Sequence, residues 1–105
     1  MKLEKNLINK PGFKKLCKAF ASLKNEKDVK AFLRDVCTLK ELKEISGRLE
    51  SAELIKKGIS YRSIAKKTGV STATVTRVSS WLNNGMGGYD LVLNHHNSKK
   101  SPAGK

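Results

Sequence analysis

The segment from Ser60 to Leu82, SYRSIAKKTGVSTATVTRVSSWL, holds two short apolar periodicities separated by a four-residue break. Tyr61 to Lys67 reads as one helix and Thr72 to Leu82 as a second, with Thr68, Gly69, Val70 and Ser71 between them. Ser60 and Ser71 each precede a helix start, where a side-chain oxygen can accept from first-turn amides that have no partner within the helix. Gly69 supplies the backbone freedom that a sharp turn requires. Ile64, Ala65, Val70, Val75 and Val78 fall where the two helices would meet, and the small Ala65 permits a close approach. The pattern is that of a helix-turn-helix, in which the second helix enters a DNA major groove and the first braces it across the backbone.

With Val75, Val78 and Leu82 turned inward, Thr72, Ala73, Thr76 and Arg77 project from the outer side of the second helix, near its start. Threonine can hydrogen-bond a base edge or set its methyl group beside that of thymine. Alanine can touch the same methyl, and arginine can pair with guanine or grip a phosphate. These four, with Ser71 at the cap and Arg62 and Lys66 on the bracing helix, are the candidate DNA-binding residues. Lysines on a helix surface are usually only solvated, so Arg62 is favoured over Lys66 and Lys67 for a groove or phosphate contact.

Upstream, Phe13, Leu16, Cys17, Phe20 and Leu23 form one helical stripe, with Pro11 near its start. Val29, Phe32, Leu33 and Val36 form another behind Asn25, a favourable N-cap, with Asp28 three positions on. Thr38 and Glu41 have capping-box spacing and should open a long third helix, its apolar face carried by Leu42, Ile45, Leu49, Ala52 and Ile55 and its end marked by Gly58. Gly47 inside that helix costs on the order of 1 kcal/mol relative to alanine, and close packing against another backbone would account for it. Downstream, Asn83-Asn84-Gly85 and Gly87-Gly88 break the chain before a short apolar element, Tyr89 to Leu93. The expected organisation is an all-α domain over 1–96 and a disordered basic tail over 97–105 that adds nonspecific phosphate contact.

The totals agree with a nucleic-acid partner. Among 105 residues, 22 Lys and Arg oppose nine Asp and Glu, a formal charge of +13 that attracts a polyanion. A membrane surface would need an apolar face or a lipid signal as well, and neither accompanies the charge. The charged N-terminal stretch carries no secretory or membrane-spanning run, so a cytoplasmic location is expected. Cys17 and Cys37 lack zinc-site spacing and read as free, buried thiols, while His95 and His96 adjoin a polar tail and read as solvated. No metal or cofactor is expected. An enzyme would need a convergent acid-base or metal site, but the carboxylates are scattered as surface charges and caps.

The stretch from Thr38 to Leu82 resembles the Trp repressor superfamily, most closely its YerC/YecD branch, through Gly47-Arg48-Leu49, Ser60-Tyr61-Arg62 and Ser71-Thr72-Ala73-Thr74-Val75-Thr76-Arg77. The resemblance implies a Trp repressor-like helical fold and an intertwined homodimer in which the N-terminal helices wrap round the partner. Two recognition helices would then read a pseudopalindrome with half-sites roughly 34–36 Å apart. It also implies that Arg62, Thr72, Ala73 and Thr76 approach bases, and that Thr38, Arg48 and Arg77 line an effector pocket or contact phosphate. A small-molecule corepressor is compatible with this. Free tryptophan is not expected to be that molecule, because the family's corepressor-binding member has glycine where this chain has Val78, and a branched side chain would fill the indole slot. The expected function is a sequence-specific transcriptional regulator, a repressor. The alternative is an RNA-binding or ribosome-associated accessory protein, which charge alone does not separate from it but which no aromatic stacking cluster supports.

Overall fold

The computed structural model describes residues 6–100, with side chains to residue 94. Among these residues the ordered elements are six helices of more than one turn: α1 (Pro11–Ser22), α2 (Glu26–Val36), α3 (Leu39–Lys56), α4 (Tyr61–Thr68), α5 (Thr72–Asn84) and α6 (Gly88–Lys100). The chain divides into two compact units between Leu39 and Lys40. The protein is all-α, as its periodicities require.

In the N-terminal unit, Pro11 occupies the first turn of α1, where its missing amide proton costs nothing. Asn25 caps α2 by accepting from the Asp28 amide at 2.9 Å, and its side-chain amide donates to the Asp28 carboxylate. The Phe20 and Phe32 rings meet edge to face at 5.1 Å between centroids, a favoured aromatic geometry. Yet neither helix contains a fully buried residue. Cys17, expected to be buried, is exposed: Phe13, Leu16 and Ala19 take what shelter the unit offers, and Cys17 falls off their line.

In the C-terminal unit, α3 starts directly after Thr38, and its end is closed by two bonds. The Ile59 amide reaches back to the Leu54 carbonyl and the Gly58 amide to that of Ile55, with Gly58 at φ +83°. This is the Schellman arrangement that glycine permits without strain. The buried face of α3 matches the expected one in part. Ala52 is buried and Ile55 packs on the core as expected, but Gly47 and Ser51 are buried as well, whereas Ile45 and Leu49 remain 47 % and 40 % exposed. Ser51 is tolerated in the core because its hydroxyl donates to the Gly47 carbonyl at 2.7 Å. Gly47 is small for the sake of a side chain, not a backbone, since a Cβ there would stand 2.6 Å from Val70 Cγ1.

Ala52, Val78 and Leu93 form the core cluster, with Ile55, Leu82 and Tyr89 packed around it. Leu93 belongs to α6, a longer helix than the apolar run Tyr89 to Leu93 suggested, since its backbone continues through polar residues to Lys100. Lys56 Nζ, 2.6 Å from Asp90 Oδ1, ties α3 to α6. The expected boundary between residues 96 and 97 falls within α6, and 101–105 lie outside the described residues. No helix among those described is long and apolar enough to cross a membrane.

Candidate nucleic-acid interface

The turn between α4 and α5 is built from side-chain hydrogen bonds. Ser60 accepts from the Ser63 amide and Ser71 from the Thr74 amide, at 3.2 and 3.0 Å, so both serines cap the helices they precede. Gly69 ends α4 at φ +82° with its amide bonded to the Ala65 carbonyl. Thr68 completes the turn: its hydroxyl donates to the Ile64 carbonyl at 2.8 Å and accepts from the Val70 amide at 3.3 Å. Ile64, Val75 and Val78 are fully buried beneath, so the outer face of α5 is set by packing and not by its own composition.

On that outer face Thr72, Ala73, Thr76 and Arg77 are all exposed, as are Ser71 at the cap and Arg62 and Lys66 on α4. The Thr76 hydroxyl donates to the Thr72 carbonyl at 3.1 Å, which commits its proton and leaves its oxygen as an acceptor. At about 100° of rotation per residue, Ser79 lies on the flank of α5 roughly opposite Thr74, Arg77 and Trp81. The first flank meets α4, where the Tyr61 hydroxyl donates to Ser79 Oγ at 2.6 Å. The second faces α3: the Arg48 guanidinium carbon sits 5.8 Å from the Trp81 ring centroid, over its face.

Between α3 and this second flank lies a cleft of about 490 Å³. Arg48 and Arg77, expected to share an effector pocket, both line it. Thr38, expected beside them, belongs to the N-terminal unit, whereas all the residues of the cleft wall fall between Lys40 and Arg77. Val78 is not in that wall; it is fully buried in the core beside Ala52 and Leu93. Three features of this region escaped the sequence reading. Lys40 and Lys43 of α3 join the cleft wall, Tyr61 bonds across to α5, and Trp81, 41 % exposed, lies under Arg48. Only the four- and seven-residue spacings of Lys43 and Lys40 from Gly47 could have hinted that they share a face with the packed side of α3.

Tyr89 lies close enough to feel both the core and Arg48. Burial pushes its phenol above the ordinary tyrosine value, and the Arg48 charge partly offsets that shift. Among the described residues no group of three or more His, Cys, Asp or Glu side chains could hold a metal ion. The side chains of His95 and His96 lie outside those described.

The Trp repressor protein family matches residues 12–97, which takes in α1 from its second residue, all of α2 to α5 and most of α6. The chain belongs to the Trp repressor family. Within the family it is similar to the uncharacterised YerC protein of Bacillus subtilis (strain 168), with 37 % identity over 78 residues that span 74 % of this chain and 75 % of that one. A TrpR-like protein from Eubacterium eligens ATCC 27750 superposes with a TM-score of 0.82 at 38 % identity, over 88 % of this chain and 95 % of the other. A candidate Trp repressor from Staphylococcus aureus gives the same TM-score at 34 % identity, over 92 % and 95 %. The Trp repressor fold thus extends over nearly the whole chain.

Proposed function

We propose that the protein is a sequence-specific DNA-binding transcriptional regulator, a repressor, that binds a pseudopalindromic operator as a homodimer. The observation that carries this reading is the exposure of Thr72, Ala73, Thr76 and Arg77 together on α5, held there by the burial of Val75 and Val78. Small polar and methyl-bearing side chains on a braced helix suit a major groove, and a formal charge of +13 supplies the sequence-independent attraction. Arg62 and Lys66, exposed on α4, are positioned for backbone contact.

Two sets of exposed apolar residues support the homodimer. Leu7, Val36 and Leu39 in the N-terminal unit, and Ile45, Leu49, Leu91 and Val92 in the other, are each between 40 % and 75 % exposed on the single chain. That amount of apolar surface is characteristic of an interface. Free tryptophan is not the corepressor in this reading, because the face of Arg48 is already covered by the chain's own Trp81.

Selection of bound fragments from random duplex DNA tests the whole reading. Recovery of a two-fold motif, bound by a particle of twice the chain mass in light scattering, is the expected result. Equal retention of all sequences, or preference for structured RNA in competition, would remove it.

A further inference from the structure

The cleft beside α5 has a charge arrangement that the helix-turn-helix does not explain. Lys40, Lys43, Arg48 and Arg77 line it against one carboxylate, Glu44. Four cations around one hollow repel one another, and the contact of Arg48 over Trp81 leaves Lys40, Lys43 and Arg77 without an equivalent use in the cleft. Lys40 also stands in the first turn of α3, the end at which the helix dipole disfavours a cation. Arg77 joins the two regions, because it lines the cleft and also projects from the outer face of α5.

A major groove is bordered by two phosphate strands. The flank of α5 bonded to Tyr61 has α4 beside it, with Arg62 and Lys66 exposed there. The opposite flank has α3 beside it, and its exposed cations are Lys40 and Lys43. Cations therefore stand on both sides of the proposed base-reading strip. A phosphate seated in the cleft would meet compact, rotatable ammonium donors from α3 and a guanidinium from α5.

We propose that Lys40 and Lys43 make this cleft a seat for a DNA backbone phosphate, so that α3 contributes to operator affinity directly and without a small-molecule effector. This inference rests on the DNA-binding reading above. It adds an element that lies outside the helix-turn-helix.

The test is the salt dependence of binding to a duplex carrying the selected motif, compared between the unaltered protein and the Lys40→Gln/Lys43→Gln variant. Each phosphate contact contributes a log-log slope of roughly 0.9. The double variant should be shallower by about one to two and should keep the same preferred sequence, while Lys40→Arg/Lys43→Arg should retain the slope. Lys57→Gln, at the other end of α3 and about 25 Å away at 1.5 Å per residue, should leave the slope unchanged. Both lysines are exposed and their charges are mutually repulsive, so thermal melting of the glutamine variant should be no lower than that of the parent.

An unchanged slope and affinity in the double variant, or an equal loss per charge in Lys57→Gln, would overturn the inference and leave the DNA-binding reading standing. Failure of the unaltered protein to bind any duplex would overturn both. Calorimetric titration of the DNA-free protein with inorganic phosphate separates the remaining source. Saturable binding below millimolar that the double variant loses would assign the cleft to a free anion and overturn the backbone-phosphate assignment.

Discussion

The Tyr61 hydroxyl lies 2.6 Å from Ser79 Oγ, and this hydrogen bond spans the two helices of the helix-turn-helix eighteen residues apart in sequence. Hydrophobic packing of Ile64 against α5 fixes the distance between the helices but constrains their rotation weakly. A directional bond at the opposite end from the turn resists that rotation. Tyr61→Phe and Ser79→Ala should each lower stability by about 0.5–1.5 kcal/mol. In a double-mutant cycle followed by denaturant unfolding, the two losses should not add; full additivity would show that the bond contributes nothing.

Gly47→Ala tests the packing of α3 on the turn. Alanine gains up to about 1 kcal/mol of helix propensity, but its Cβ would lie 2.6 Å from Val70 Cγ1, and a β-branched neighbour yields little. Overpacking of about 1–3 kcal/mol should prevail, giving a net destabilisation that Val70→Ala relieves. A Gly47→Ala protein that melts higher than the parent would show that the turn shifts freely.

The Thr76 hydroxyl donates its proton to the Thr72 carbonyl, so what this exposed side chain can offer a base is an acceptor oxygen and a methyl. Thr76→Ala should relax discrimination at one operator position by about 1–3 kcal/mol, measured by competition among single-base variants of the site. Thr76→Ser separates the two groups, since it keeps the oxygen and removes only the methyl. An identical preference profile for all three proteins would place Thr76 outside the readout.

Tyr89 sets an alkaline limit. Its phenol titrates higher in the folded protein than its ordinary value of 10.0, so folding favours the neutral form. The unfolded chain then loses its proton first, and stability present below pH 10 declines as pH rises through the folded value. Tyr89→Phe should flatten this part of the melting profile above pH 10 while leaving the neutral region little changed. A profile of the same slope in both proteins would show that Tyr89 does not set the alkaline loss.

Much of the architecture could be read in advance because local rules and tertiary packing agree. Pro11, Asn25, Ser60, Ser71 and the glycines at 58 and 69 each satisfy a backbone need of their own segment, and each sits at the helix boundary it announces. The face of α3 was harder. A periodic count places Ile45 and Leu49 inside along with Ala52, but only Ala52 meets Val78 and Leu93, and the other buried positions are Gly47, set against Val70, and Ser51. Glycine and serine carry no hydrophobic signal, so the part of a core built on them is invisible to a count of apolar side chains. The outer residues of α5 followed from the burial of Val75 and Val78. Lys40, Lys43, Tyr61 and Trp81 did not, because their roles depend on contacts or a cleft between separate helices, and no spacing within one helix encodes them.

The chain has a single tryptophan, and that residue lies beneath Arg48 at the edge of the basic cleft. Its indole emission therefore comes from one known place, next to a charge that any occupant of the cleft will reorient or screen. The protein carries an intrinsic optical reporter of what binds beside its recognition helix, with no label to introduce and no second fluorophore of its kind to subtract.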